Sequence, residues 1–491
     1  AVESFQDDGS YGESLQYAHY AIYGLMLAYE ALYRSDPALV QGMDPGRYGK
    51  GMGWFASSLL YRKPLGGVWG EHPRPRAVNF NDSAAVFAPS PDVLLHVATR
   101  CAKSLPKEAG LARWMADPYW SPAPDLEPHD RASLGMVTDW GFLTLPLLVQ
   151  APEALSPEEA GLPPMAAFSN GDALARDRWG GATVLAVRGG GDLLSCRSHL
   201  HADMNSFILV HGNERLLADP GHSCYRNLLR RIEGATDSHH TCTFSLQEAG
   251  RNREIAQHLD VPPRNVAGGK PGPKTDRGAR RLIVVRQGDV TVLGSEASAC
   301  YGKPVERFAR FWFLAGSHVL FVVDHIKTVV PVETTWHWIL NNRARALELK
   351  VFADRIVARR GDVGMKLFHC AGGRRGGLAH GWLHEAYHPL PAQLGEGENG
   401  SATVLRFHEN GRHKERWAVH AMARDGYGPV AGWHLREVQG AEAVLESPGG
   451  NQSWKLCVNR GAGELVLQET VSGQSWRLRD GGGDAWRLDQ P

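Results

Sequence analysis

From Glu13 to Arg34, apolar side chains recur at helical spacing: Leu15, Ala18, Ile22, Leu25, Tyr29 and Leu32. That spacing puts one continuous apolar face on a helix. Ser35-Asp36-Pro37 ends it, because a proline cannot continue the helix. Stretches of the same kind run through Gly51–Tyr61, Pro91–Ala102, Gly110–Ala116 and Asp139–Val149. Loops rich in proline and glycine separate them. The longest, Pro64–Ser83, is long enough to reach a site. The pattern predicts a helical part over residues 1–164. At Ser156–Pro164 the period changes. Beyond it come strand-length apolar runs such as GATVLAVRGG, NSFILVHGNERLLADPG and RFWFLAGSHVLFVVDHI. The HGNE segment, His211–Glu214, reads as a hairpin turn. Residues 165–491 predict an antiparallel β-sandwich. Helices followed by a block of strands predict a segregated α+β multidomain protein, not βαβ winding.

Composition narrows the partners. The 491 residues hold 53 Lys+Arg against 53 Asp+Glu, with 43% hydrophobic and 22% charged residues. This is a globular composition without the basic excess of a nucleic-acid binder. No stretch approaches the roughly 18 apolar residues of a membrane span, so no membrane partner is expected. The 7 cysteines contain no CxxC, which argues against a disulfide framework and against a cysteine zinc cluster. The opening AVESFQDDGSYGES has neither the basic n-region nor the apolar h-region of a signal peptide. A processed secreted chain looks the same. A secreted or periplasmic location is expected, with a cytoplasmic oligosaccharide-degrading enzyme as the alternative.

Two clusters carry chemistry. In SHLHADMNSF, Ser198–Phe207, His199, His201 and Asp203 alternate, and on a strand they share one face. Asp219 follows in ADPGH, and His239–His240 in DSHHTCTF. Two imidazoles and a carboxylate form a first-row metal set, zinc most simply. The same residues also fit a sheet face with solvent-exposed histidines. The second cluster is Asp7–Tyr20, DDGSYGESLQYAHY, where Tyr17, Tyr20 and Gly24 share one helical face. That face suits a sugar or a proton-transferring phenol, and it equally suits an aromatic packing stripe.

Taken together, the clusters resemble the heparinase II/III and alginate lyase group of polysaccharide lyases. The resemblance rests on Asp8-Gly9-Ser10, Glu13, Tyr17 and Tyr20. It rests also on His199, His201, Asp203, Ser206 and Phe207, on Leu217, Asp219, Pro220 and Gly221, and on His239-His240-Thr241, where His240 replaces the usual Asn. It covers the chain from Asp7 to about Asn342. It implies an incomplete (α/α) toroid followed by antiparallel β-sheets. The implied activity is β-elimination on a uronic-acid polysaccharide of the alginate or glycosaminoglycan type. A proton leaves C5, beside the carboxylate, and the C4–O bond breaks. The carboxylate charge must be neutralised, a base must reach C5, and an acid must reach the leaving oxygen. By the resemblance, Tyr17 is the proton donor and His199 the base or charge neutraliser. His201, Asp219 and His239 hold one divalent metal, zinc ahead of manganese or calcium, with His240 in reserve. Arg226 binds the uronate bidentately or is a solvated surface arginine. Glu13 orients Tyr17 at the substrate or is a favourable first-turn acid.

One departure stands out. The family's uronate-neutralising Asn-His pair precedes the tyrosine motif, yet no Asn or His precedes Tyr17 here. An upstream toroid segment or a homodimer partner is the expected source, with Asn79 or Asn81 a weaker substitute. Two other functions remain open: a non-catalytic carbohydrate-binding protein, and a metal-dependent glycan hydrolase using His201, Asp219 and His239 around an activated water.

Overall fold

The protein was analysed as a computed structural model. The structure describes residues 2–64, 71–117, 143–190, 193–194, 199–222, 232–258, 275–276, 279–353, 355–370, 374–381, 402–437, 442–482 and 485–490.

The helix predicted from Glu13 runs from Leu15 to Ser35. Leu15, Ala18, Ile22 and Met26 are its buried stripe. Ser14 caps it, its side-chain oxygen accepting from the Tyr17 N–H, and Asp36 ends it ahead of Pro37. Glu13 therefore precedes the cap and is not a first-turn acid. The helix Pro91–Arg100 is the hub of this part, packing on Leu15–Ser35, Pro106–Met115 and Thr144–Leu148. The predicted helix over Gly51–Tyr61 is half right. Met52–Ser58 is helical, but Leu59–Pro64 is a strand paired with Pro73–Ala77. The second strand of that hairpin lies within Pro64–Ser83, the segment expected to be a loop. Apart from Leu15–Ser35, these helices span 10 residues or fewer. Among the described residues they do not of themselves establish the incomplete (α/α) toroid that the resemblance implies.

The strands after Met165 pair antiparallel throughout. They are not two independent sheets of a sandwich. The 23-residue strand Val319–Asn341 runs through both. Its first half pairs with Val305–Ala315 and His413–Gly426, its second with Cys242–Glu248 and Ala402–His408. The system therefore closes on itself. A separate six-stranded antiparallel sheet runs from His434 to Asp489.

The strands Asp172–Arg176, Thr183–Arg188 and Ser206–His211 are buried on both faces. Ala173, Ala175, Leu185, Val187, Phe207 and Leu209 point into the β core. Leu174, Val184, Ala186, Ile208 and Val210 point into the core they share with the helices. A sheet covered on both sides reads as continuous apolar sequence. This shared core clamps the helical part onto the sheet. The hairpin at His211–Glu214 forms as expected, with Gly212 and Asn213 both at positive φ as a primed turn requires.

Candidate functional site

The site gathers where three strands end. Ser206 opens one strand, Leu217 closes the next, and Cys242 opens a third. His240 ties them together. Its backbone N–H donates to the Ser206 hydroxyl at 3.1 Å, and its Nε2 donates to the Ala218 carbonyl at 3.0 Å. Its Nδ1 accepts from the Ile339 N–H at 3.1 Å. Both ring nitrogens are thus spent on backbone, and burial pushes this imidazole down to about 3. His240 is a neutral structural residue and not a reserve ligand.

The His199–Asp203 segment is not a strand; the strand starts at Ser206. His199 sits at φ +60°, in the left-handed region that costs a non-glycine residue about 1–2 kcal/mol. The histidines converge because both reach one carboxylate. Asp82 Oδ2 lies 2.7 Å from His199 Nδ1, and Asp82 Oδ1 lies 2.9 Å from His201 Nε2. His222 Nδ1 stands 3.7 Å from the same Oδ1. Burial alone would raise the Asp82 carboxyl. The hydrogen bonds from His199 and His201 more than reverse this and hold it well below the usual carboxylate range. His222 is buried and pushed down to about 4, chiefly by desolvation.

Tyr17 meets His199 face to face, with ring centroids 3.9 Å apart and planes inclined by 18°. Tyr20 flanks Tyr17 at 5.8 Å and is exposed. Residues from a helix start and from a turn before a strand therefore meet in one ring stack. The Asn79–Ser83 loop makes this possible. The Ser14 hydroxyl, the cap of the tyrosine helix, donates to the Asp82 carbonyl at 2.9 Å. The Asp82 N–H donates to the His199 carbonyl at 3.2 Å.

Asn79 and Asn81 are committed to this loop. Asn79 donates to the Asp219 carbonyl and accepts from Arg215, while Asn81 donates to the Glu13 carbonyl and accepts from the His201 N–H. Both are fully buried, so neither is placed to meet a uronate. Glu13 is buried too, below its own helix cap. Arg226 lies outside the described residues.

His201, Asp219 and His239 offer ligand atoms that all lie within 4.8 Å of one another, and all three are buried. His239 Nδ1 is 2.9 Å from Asp219 Oδ2. Burial works against a charged His239, yet the Asp219 carboxylate outweighs it and raises the imidazole. The three ligand atoms lie close enough together to be bridged by one cation. Two imidazoles and a carboxylate match a zinc-type donor set. Asp82 and His222 belonged to none of the motifs that carry the resemblance, whereas Gly221 closes the Leu217–Gly221 motif. ADPGH placed Gly221 and His222 near the site, but a lone Asp in NFNDS gives no periodic or spacing signal.

Among solved structures, the chain is similar to a heparan sulfate lyase, HepC, from Pedobacter heparinus. The TM-score is 0.56 at 15% identity, covering 91% of this chain and 59% of that one. It is similar also to a heparinase III, with TM-score 0.57 at 14% identity, covering 92% and 61%. The chain thus spans 59% and 61% of the length of these relatives. At such identities the likeness shows a common fold. No curated protein matches by sequence. Residues 162–442 match the family described as heparinase II/III-like, C-terminal, which is more than half of the chain, and the chain belongs to the heparinase II/III-like family.

Proposed function

We propose that the protein is a polysaccharide lyase that cleaves a uronic-acid-containing polysaccharide by β-elimination. The observation that carries this reading is the stacking of Tyr17 on His199 at 3.9 Å, one from the helical part and one from the β part. In this reading the C5–H bond breaks and its proton passes to the base. The C5 electron pair forms the C4–C5 double bond, and the C4–O bond breaks. Tyr17 gives its hydroxyl proton to the departing glycosidic oxygen. His199 takes the C5 proton or offsets the uronate charge. The half-buried phenol and the partly exposed imidazole suit transfer to a ligand entering from solvent.

His201, Asp219 and His239 would hold the metal, which when bound would supply a fixed charge that braces the turn carrying His199. Glu13 is buried just before the helix cap, and its carbonyl accepts from Asn81. The substrate class is an acidic polysaccharide or oligosaccharide. Nucleic acid does not suit a chain of balanced charge. No helix among the described residues is long and apolar enough to cross a membrane.

The test is to incubate the chain with alginate, hyaluronan, heparan sulfate and chondroitin and to follow ultraviolet absorbance. A rise on at least one polymer is expected, because elimination leaves an unsaturated uronate. New reducing ends without that rise would mean hydrolysis and overturn the reading. Binding without either product would leave a carbohydrate-binding protein instead.

A further inference from the structure

We propose that Asp82 is a positioning residue that sets the tautomers of both His199 and His201, tying the Tyr17–His199 pair to the His201–Asp219–His239 centre. An ionised carboxylate only accepts hydrogen bonds. Its two oxygens stand 2.7 Å from His199 Nδ1 and 2.9 Å from His201 Nε2, so each of those nitrogens carries the proton. In a neutral imidazole the opposite nitrogen then bears the lone pair. His199 presents the lone pair on Nε2 and His201 on Nδ1. One carboxylate thus assigns opposite tautomers to two histidines that sit two positions apart. A base needs the lone pair of His199 turned away from its support. A metal ligand needs the lone pair of His201 turned towards Asp219 and His239.

Asp82 is itself held from three directions. Its N–H is bonded to the His199 carbonyl, its own carbonyl to the Ser14 hydroxyl, and its side chain to both rings. The neighbouring Asn81, at φ +61°, fixes the loop by bonding the Glu13 carbonyl and the His201 N–H. The residue that orients the two histidines is therefore the one that docks the tyrosine helix. Movement of the helical part would be felt at both rings together.

The inference rests on the lyase reading only for its kinetic arm. The direct arm is two-bond proton–nitrogen NMR on the full chain carrying nitrogen-15 histidine, with His199→Gln and His201→Gln assigning the signals. His199 should be the Nδ1–H tautomer and His201 the Nε2–H tautomer. In Asp82→Asn the carboxamide offers one acceptor oxygen and a donor NH2, so at least one ring must change tautomer or lose its bond. A wild-type chain with the same tautomer at both rings overturns the inference. So does an Asp82→Asn variant in which both tautomers and both ring hydrogen bonds are unchanged. If Asp82→Asn does not fold, the wild-type spectrum decides alone. In the kinetic arm kcat of Asp82→Asn should fall about 10–100-fold while KM moves little. Expected tautomers in a chain that cleaves no uronan would sink the lyase reading and leave this inference standing. Cleavage by a chain with other tautomers would do the reverse.

Discussion

Gly221 shows how much of the site hangs on single residues. It sits at φ +59°, and a Cβ there would come within 2.5 Å of Asn79 Nδ2 and of the Ser83 carbonyl. Those atoms flank Asp82, so Gly221 lets the Asn79–Ser83 loop lie against the turn after Leu217. Gly221→Ala should cost about 1–2 kcal/mol through the backbone alone, and more through displacement of the loop. Urea unfolding checks this, and an unchanged midpoint would contradict it. His201, Asp219 and His239 make a second prediction at this scale. Metal analysis of the purified chain should find close to one equivalent, and His201→Ala should lose it. A ligand bound only by the folded chain raises stability. Chelation should therefore lower the melting temperature of the wild type and leave His201→Ala unmoved. A metal-free wild type of the same stability would end the metal assignment.

At the scale of elements, buried neutral histidines join the helices and strands, and they make stability depend on pH. His19 Nε2 accepts from the Ser90 N–H at 3.1 Å, just where Ser90 caps the Pro91–Arg100 helix. His337 Nε2 meets the Thr243 hydroxyl at 3.0 Å across the sheet. Burial pushes both imidazoles down to about 3, and pushes His211 down to about 4. An unfolded histidine binds its proton below about pH 6.5. Between that value and the folded one, the unfolded chain holds more protons. Stability should be full above about pH 6.5 and fall as pH drops through this window, by about 1.4 kcal/mol per unit for each such histidine. Glu30 adds a later loss. Burial opposes its charge, but Arg100 and His96 hold it down to about 2, so its contribution fades below the ordinary carboxylate range. His239, raised by Asp219, acts in the opposite direction. Urea midpoints measured from pH 7 to 4 should decline steadily, and a flat profile would contradict this. The elements themselves were legible where one period ran unbroken. Leu15–Ser35 follows its apolar stripe to within a turn, and the Gly212-Asn213 hairpin follows its turn residues. The period failed where tertiary contacts decided. Leu59–Tyr61 looked like a helix end, but it pairs with Arg76 and Ala77 as a strand. The His199–Asp203 alternation looked like a strand face, but Asp82 pulls His199 into a left-handed turn.

For the whole molecule, the sheet buried on both faces decides the geometry. Its two cores fix the helix start carrying Tyr17 over the strand ends carrying His199, His201 and Asp219. That juxtaposition was legible only by resemblance, since nothing local in either segment points to the other. Asp82 was not legible at all, because its role exists only once the loop has docked. No single sheet boundary could be read either, since Val319–Asn341 belongs to both halves of the β system. The central claim is that Tyr17 and His199 form one eliminating site, and the most direct test compares wild type with Tyr17→Phe. The substitution removes one oxygen and keeps the ring that stacks on His199, so the melting temperature should barely move. On a uronan that the wild type cleaves, the ultraviolet rise should slow by about 10²–10⁴-fold. A Tyr17→Phe variant that produces unsaturated uronate at the wild-type rate would contradict the account.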